Sequence, residues 1–318
     1  MNIQNVVLIG GGVLGSQIAY QSAYKGKHVT IWLRSEGSIG RAQPKLSRLH
    51  GIYLDNLEKS KDLLGKPGAR VAGGLFEDFS HTTPEDIDAL KAKADAAYAG
   101  LVLTTDLEAA LKDADLVIEA LAEDPAQKTA FYEKAAPLLP EKTILATNSS
   151  TLLPSQLAPA TGRPDRFLAI HFANEIWSHN TAEIMGHAGT DPAAVEDAIE
   201  FAKSIGMIPL VLHKEQPGYI LNSILVPFLT SAQALLANGI ADPETIDLTW
   251  KLGTGAPLGP FQILDIVGLT TAYNIVSMRP EAKDPESTYG KIAATLKSYI
   301  DAGKTGINAG EGFYKYSK

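Results

Sequence analysis

Apolar and polar positions at the start of the chain follow a strand–turn–helix–strand pattern. Residues 6–9 are all apolar, which is typical of a strand that is covered on both faces. After a glycine-rich turn, apolar residues recur at helical spacing from residue 14 to about residue 25, and a second apolar strand is predicted over residues 29–33. The pattern indicates the first β–α–β unit of a parallel sheet.

Later apolar runs extend this sheet. Helical patterns separate most of these runs, so each new strand is expected to be reached through a crossover connection. We therefore predict an α/β fold with a Rossmann-type, doubly wound and mostly parallel sheet. Its further strands are predicted over residues 116–120, 143–147, 167–172, 182–185 and 209–212.

Two segments depart from the repeating unit. Residues 36–100 are predicted to form a helical excursion at the edge of the sheet, in which residues 83–86 (TPED) have the composition of a helix start. The break at residues 216–218 (QPG) precedes a continuous helical pattern. The chain is therefore predicted to contain an α/β domain over residues 1–213 and a smaller all-α domain over residues 214–318.

Composition narrows the possible classes of function. The 318 residues, of which 45% are apolar, can bury a sizeable core, and a net charge of −8 disfavours nucleic acid as a partner. The chain has no cysteine, which excludes disulfides and thiolate nucleophiles, and its histidines lack the spacing of a helical metal site, so no metal is assigned. The sequence predicts neither an apolar run near the ~20 residues that cross a bilayer nor a secretory signal, so a cytoplasmic protein without a membrane partner is expected.

The glycine-rich turn carries the first chemical signal. Gly10, Gly12 and Gly15 form a G-x-G-x-x-G pattern directly between a strand and a helix. Glycines at these positions allow a tight turn, an approach of backbone amides to a pyrophosphate, and close helix–strand packing. Dinucleotide binding is therefore predicted, with an ordinary tight turn as the alternative.

The end of the second strand bears on the choice between NAD and NADP. NAD-binding proteins usually place an acidic residue there, whereas this chain has Arg34 and Ser35. A guanidinium and a hydroxyl suit a 2′-phosphate, so NADP is favoured over NAD. A small change of register would place Glu36 at this position and would favour NAD instead. Arg34 could also be a solvated surface residue.

Residues 41–70 contain seven basic and three acidic side chains. Such a segment suits a phosphorylated ligand or equally a salt-bridged helix face.

Polar residues stand out against apolar surroundings near three later strands. Ser150 follows one predicted strand, His171 ends the next and is followed by Asn174, and Glu183 lies within a third. Ligands of open parallel sheets bind beyond the carboxyl ends of the strands, where these groups would gather. A lone histidine is more often structural, but the hydroxyl and carboxylate nearby favour a catalytic site. Ser150 lacks the G-x-S-x-G surroundings of a nucleophile, so its hydroxyl is interpreted as a hydrogen-bonding group.

At these residues the chain closely resembles the L-3-hydroxyacyl-CoA dehydrogenase family. Matching motifs run in order through nearly the whole chain, and the later ones are far more specific than the glycine pattern. The motifs are GGGVLG at 10–15, IEALAED at 118–124, TNSST at 147–151, DRFLAIHFAN at 165–174, QPGYILNSILVPFL at 216–229, APLGPFQILDIVGLTTA at 256–272 and GEGFYKY at 310–316.

The resemblance implies a catalytic role for four residues. His171 would be the general acid and base that exchanges a proton with the 3-hydroxyl, and Glu183 would orient and stabilise its ring. Ser150 and Asn222 would hold the oxygens of the substrate. Without the resemblance, Asn222 could simply be a surface residue of its helix.

The resemblance also implies residues that contact the cofactor. Glu123, Lys128 and Asn174, together with Ser150, match family positions near the nicotinamide and its ribose. Glu123 and Lys128 could otherwise be an ordinary pair on a helix surface. The chain departs from the family after His171, where Ala-Asn-Glu replaces Phe-Asn-Pro and residues 176–179 are atypical, and further departures occur at Arg34 and Asn308.

These features lead to one expected function and two alternatives. The expected function is reversible hydride transfer between NAD(P) and C3 of a short L-3-hydroxyacyl-CoA, such as 3-hydroxybutyryl-CoA in fatty acid metabolism, by a homodimer formed through the helical domain. One alternative is a dehydrogenase of a free 3-hydroxy acid, of carnitine or gulonate type. The other is a non-catalytic nucleotide-binding or crystallin-like structural protein.

Overall fold

Eight strands form one sheet within residues 1–316, the part of the chain that this computed structural model describes. They are β1 (Asn5–Ile9), β2 (His28–Trp32), β3 (Val102–Thr104), β4 (Leu116–Glu119), β5 (Ile144–Thr147), β6 (Phe167–Phe172), β7 (Thr181–Met185) and β8 (Ile208–Leu212). Their order is β3-β2-β1-β4-β5-β6-β7-β8. All neighbours are parallel except β6 and β7, so the predicted mostly parallel α/β sheet is confirmed.

The central strands are apolar because both of their faces are covered. Every residue of β4, β5 and β6 is buried, and separate apolar clusters lie on the two faces of the sheet. Strand order reverses between β1 and β4, which run side by side in the same direction. The turn after β1 therefore lies beside the segment after β4, at the position where doubly wound sheets bind ligands.

Twelve α-helices lie within the described part of the chain. They are α1 (Val13–Tyr24), α2 (Glu36–Lys61), α3 (Pro84–Gly100), α4 (Leu107–Leu111), α5 (Pro125–Ala135), α6 (Pro154–Leu157), α7 (Pro192–Ser204), α8 (Tyr219–Ala237), α9 (Pro243–Thr254), α10 (Pro260–Val267), α11 (Leu269–Ser277) and α12 (Thr288–Asp301).

The predicted helical excursion consists mainly of α2 and α3, which pack against each other. The predicted helix start is confirmed, because Thr83 Oγ1 accepts a hydrogen bond from the Asp86 amide and Asp86 accepts one from the Thr83 amide. The sequence prediction missed β3, which directly follows α3. A strand of three residues, with Val102 exposed, is too short to give a clear alternation of apolar and polar positions.

The chain divides into two compact units, Met1–Ile220 and Leu221–Lys318. The division falls later than the predicted boundary at residue 213. The reason lies at the start of α8, where the Tyr219 hydroxyl donates to the Ser149 carbonyl and the Ile220 amide donates to Glu183. These bonds place Tyr219 and Ile220 within the first unit.

In the second unit, two buried carboxylates hold loops against helices. Asp247 accepts hydrogen bonds from two backbone amides in the first turn of α10, and Asp265 accepts bonds from the amides of Phe313 and Tyr314. The motifs at 256–272 and 310–316 therefore have a structural role. Within the first of these motifs, Pro260 and Phe261 are buried and pack at the start of α10.

Helix α8 corrects the expectation that no segment could cross a bilayer. Its 19 residues have a mean hydropathy of 1.6, which suffices by length and composition. Asn222, Ser223 and Pro227 interrupt the apolar residues, so the helix does not show as one continuous run in the sequence. Such a helix is weak evidence for a membrane span, because core helices of soluble proteins pass the same test.

Candidate active site

The glycine turn fits the pyrophosphate of a dinucleotide. Gly10 has a φ of +107°, and a Cβ there would lie 2.9 Å from the Ala120 carbonyl oxygen. A Cβ on Gly15 would collide with the Gly10 carbonyl. At Gly12, by contrast, no atom of the described chain other than those of Gly12 and its two neighbours in sequence lies within 4 Å of the Cβ position, and this residue is the N-cap of α1. Gly10 and Gly15 thus allow close packing of the turn, and Gly12 leaves space for a phosphate in front of the helix amides.

The antiparallel pairing of β6 and β7 brings the predicted base and its carboxylate together. His171 is the direct partner of Glu183 in the register, and its Nδ1 lies 3.0 Å from Glu183 Oε2. Both side chains are buried. Because a carboxylate can only accept, Nδ1 of His171 carries a hydrogen and Nε2 of the neutral ring is left as the acceptor.

Ser150 completes a row of hydrogen-bonded groups. It lies in the turn after β5, and its Oγ is 3.1 Å from His171 Nε2. The row Ser150–His171–Glu183 therefore stands at the carboxyl edge of the sheet, the same edge as the glycine turn. It presents a hydroxyl and an oriented imidazole, which can exchange a proton with a bound alcohol or ketone.

Tyr219 belongs to the same cluster, although the sequence analysis did not single it out. Its ring stacks on the His171 ring with 4.4 Å between the centroids and 13° between the planes. Its φ is +54°, a left-handed conformation that costs a bulky residue roughly 1–3 kcal/mol. Gly218, in the break before α8, indicated an unusual backbone conformation at this point of the sequence. Nothing in the sequence indicated that the Tyr219 ring would stack on His171.

Glu123 lies beside Ser150 through a hydrogen-bonded turn. Its carboxylate accepts bonds from Ser149 Oγ and from the amide and hydroxyl of Thr151. Burial acts to raise the pKa of Glu123, but these hydrogen bonds and the charge of Lys128 hold that pKa below its ordinary value. Glu123 is therefore an ionised acceptor in the loop between β4 and α5, next to the catalytic row.

Lys128 is fully buried, so the alternative of a pair on a helix surface is wrong. Its Nζ lies 2.6 Å from Glu119 Oε1 and 3.5 Å from Glu123 Oε2. Glu119, which sequence analysis missed, also accepts hydrogen bonds from the Leu121 amide, Tyr132 Oη and Thr147 Oγ1. A carboxylate at the end of the apolar strand β4 was the signal that could have revealed it.

Hydroxyl and guanidinium groups gather at the end of β2. Ser35 caps α2 and accepts a hydrogen bond from the Ser38 amide, while Arg41 reaches back to Ser38 Oγ at 2.8 Å. Arg34 is exposed beside them. Glu36 Oε1 lies 3.5 Å from Thr105 Oγ1, in the loop after β3. The cluster thus offers hydrogen-bond donors to an anion, and neither position 34 nor position 35 carries a carboxylate that would repel it.

The basic segment at 41–70 is only partly available to a ligand. Lys59 pairs with Asp55, and Lys61 pairs with Glu58 and Asp88, as a salt-bridged helix face would. Lys45 donates to the Gly11 carbonyl at 3.0 Å and so supports the glycine turn. Three further basic residues are exposed and have no ion pair within the described chain, namely Arg48, Lys66 and Arg70.

The atypical segment after His171 is tightly anchored. The amides of Glu175 and Ile176 donate to Gln17 Oε1 in α1, and Glu175 has a φ of +59°. Trp177 is buried and packs on Tyr53 of α2 at 5.7 Å. The loop is therefore a fixed wall rather than a free segment.

Asn174 and Asn222 complete the predicted set of site residues. The carbonyl of Asn174 accepts a bond from His179 Nδ1, and the residue is exposed in the loop after β6. Asn222 lies three residues after Tyr219 on α8, in the second unit, so its contact with substrate stays a prediction. No group of three or more His, Asp or Glu residues that could hold a metal occurs among the residues described.

Comparisons with known proteins give the family context. A model of the 3-hydroxyacyl-CoA dehydrogenase NAD binding domain matches residues 5–216, and one of that family's C-terminal domain matches residues 218–316. The mitochondrial hydroxyacyl-coenzyme A dehydrogenase of Rattus norvegicus is 33% identical over 314 residues, which are 99% of this chain and 91% of that protein.

Two solved structures are similar over the whole chain. A diketoreductase described for substrate-directed dual catalysis of dicarbonyl compounds is 47% identical with a TM-score of 0.85, over 99% of this chain and 100% of that chain. The (S)-3-hydroxybutyryl-CoA dehydrogenase of Ralstonia eutropha is 28% identical with a TM-score of 0.76, over 100% of both chains.

Proposed function

The chain belongs to the 3-hydroxyacyl-CoA dehydrogenase family, and from this premise we propose that it interconverts a short L-3-hydroxyacyl-CoA and its 3-oxo form. The observation that carries the proposal is the hydrogen-bonded row Ser150–His171–Glu183 at the edge of the sheet where the glycine turn lies. A bound nicotinamide dinucleotide would supply or take up the hydride at C3.

The residues of the chain manage the proton and the alignment. Nε2 of His171 accepts the proton of the 3-hydroxyl during oxidation and returns it to the 3-oxo oxygen during reduction. Glu183 holds the other ring nitrogen and stabilises the imidazolium, while the Ser150 hydroxyl orients the substrate oxygen. Gly10, Gly12 and the first turn of α1 would hold the pyrophosphate.

A second candidate keeps this chemistry but changes the substrate to a small dicarbonyl compound or free 3-oxo acid. Two observations favour it: the 47% identity with the diketoreductase and the fixed loop at residues 173–180, which departs from the family's pattern. Arg48, Lys66 and Arg70, which have no ion pair in the described chain, favour the CoA thioester because its phosphates need cations.

A comparison of substrates tests the two candidates. Initial rates of NADH and NADPH oxidation are measured with acetoacetyl-CoA, free acetoacetate and ethyl acetoacetate. A kcat/KM at least tenfold higher for the thioester is expected. Activity on the two small compounds without activity on the thioester would instead establish the second candidate. Turnover of none of them would reject both.

We also propose that the enzyme prefers NADP to NAD. Support comes from Arg34, Ser35, Ser38 and Arg41 at the end of β2, which offer charge and hydrogen bonds to a 2′-phosphate. Arg34→Asp is expected to lower the ratio of kcat/KM for NADPH over NADH by about tenfold or more, since one charge-assisted bond contributes roughly 1.5–3 kcal/mol. Lys59→Asp, at an exposed lysine farther along α2 that is not part of the proposed site, is the control. A wild-type preference for NADH would contradict the proposal.

A homodimer is proposed through the second unit. Large apolar side chains there are exposed, a feature that marks association surfaces in soluble proteins. They include Ile224, Leu252, Ile266 and Met278.

A further inference from the structure

The ring beneath the catalytic imidazole is held unusually firmly. Tyr219 is 1% exposed, and its phenol ring lies nearly parallel to His171 at 4.4 Å between centroids. Its hydroxyl donates to the Ser149 carbonyl at 2.8 Å. The next residue, Ile220, donates its amide to Glu183 Oε1 at 2.8 Å. Two consecutive residues therefore touch all three segments that form the catalytic row.

The backbone that delivers this ring is strained. Gly218 and Tyr219 both have positive φ, +80° and +54°, and only the glycine adopts such a value readily. A buried aromatic residue in this conformation persists only where its surroundings fix it, and such outliers concentrate at functional sites. At this position the flat face of the ring, rather than its edge, lies against His171.

We propose that Tyr219 is a positioning residue that stabilises the imidazolium form of His171 through its π face and fixes the plane of that ring. The inference rests on the proposed function, in which His171 alternates between neutral and protonated states. The electron-rich face of a phenol attracts a cation more strongly than a neutral ring, so the stacking favours the protonated state.

Other groups also face His171, and their effects on its protonation must be distinguished from the effect of the Tyr219 ring. Glu183 faces it from β7, the Ser150 hydroxyl faces it from the turn after β5, and Glu123 lies one step away through Ser149. All of them remain when Tyr219 is changed. Burial raises the pKa of Tyr219 itself, so the phenol stays neutral throughout the working range.

The proposal fixes the direction of the pH effect. Oxidation of the alcohol needs neutral His171, so its rate falls at acidic pH, whereas reduction of the ketone needs the protonated ring and falls at alkaline pH. Loss of the π face disfavours the imidazolium. The acidic limb of the pH profile for oxidation and the alkaline limb of the profile for reduction are therefore both expected to move to lower pH, by roughly 0.5–1 pH unit.

The experiment compares Tyr219→Phe, Tyr219→Leu and a series of increasingly fluorinated phenylalanines incorporated at position 219. The His171 ring resonance is followed by NMR against pH, and kcat/KM is measured against pH in both directions. Tyr219→Phe is expected to keep the wild-type midpoint but to lose roughly 2–10-fold in kcat/KM, because the Ser149 segment loses one bond. Tyr219→Leu and the fluorinated residues are expected to move the midpoint to lower pH, in order of fluorination.

A second stacked pair supplies the control. Tyr98 lies on His50 with 4.8 Å between centroids, in the first unit, and is not part of the proposed site. Tyr98→Leu is expected to leave the His171 midpoint and both limbs unchanged.

The outcomes separate this inference from the proposed function. An unchanged His171 midpoint across the fluorinated series, which preserves the ring shape even if Tyr219→Leu does not fold, overturns the inference. A wild-type protein that turns over no substrate overturns the proposed function, while the NMR titration still decides whether the ring stabilises the imidazolium.

Discussion

The direction of the His171 ring depends on a single backbone register. His171 and Glu183 are opposite partners in the antiparallel pair of β6 and β7, so a slip of one residue would turn one side chain to the other face. With the pairing as it is, Glu183 accepts from Nδ1 and leaves Nε2 to the substrate. The residue types and their order were predicted from the sequence, but the distance of 3.0 Å results from the strand pairing.

At the scale of the residue, His171→Ala is expected to lower kcat by ~10²–10⁴, the usual contribution of general acid–base catalysis. The affinity for the dinucleotide, measured by fluorescence titration, is expected to stay the same because His171 is placed at the substrate. His28→Ala, an exposed histidine at the opposite edge of the sheet, is the control. A near-normal kcat would remove His171 from the mechanism.

At the scale of the element, helix α5 is joined to strand β4 by a buried ion pair. Lys128 and Glu119 are both fully buried, and Glu119 also accepts from Tyr132 on α5 and from Thr147 on β5. This network holds the end of β4 in place, where Glu123 and the segment beside the glycine turn begin. Sequence analysis found Lys128 only through family resemblance, since its pairing with Glu119 depends on how α5 packs.

Removal of the buried lysine is expected to destabilise the fold. Lys128→Met leaves the Glu119 carboxylate buried without its cation, which costs roughly 3–5 kcal/mol in the free energy of unfolding. The matched control is Lys59→Met, which breaks an ion pair of the same 2.6 Å length whose side chains are 74% and 56% exposed, so little or no change is expected. Urea unfolding followed by circular dichroism measures both. Equal effects of the two changes would show that burial does not determine the contribution of the pair.

At the scale of the whole molecule, the two units have different surfaces. Large exposed apolar side chains occur in both units, but they are more numerous in the second, although it is less than half the length of the first. Exposed apolar surface of this kind favours association with a matching surface, and symmetric dimers are the commonest outcome.

Sedimentation velocity is therefore expected to give twice the chain mass of 33.9 kDa at micromolar concentration. Leu252→Asp in the second unit is expected to shift the protein toward the monomer, because a charge would be buried at the interface. Val102→Asp, at an exposed apolar residue of the first unit, is the control. A wild-type monomer would contradict the proposed homodimer.

The sequence by itself determined what depends on local chemistry and spacing. Strands that are buried on both faces must be apolar throughout, and a turn that meets a phosphate must be rich in glycine, so the sheet and the turn at Gly10–Gly15 were visible without coordinates. Tertiary structure alone decided the contacts between distant residues: the stacking of Tyr219 on His171, the burial of Lys128 and the short strand β3. Such contacts depend on packing between elements far apart in the chain, which no local pattern records.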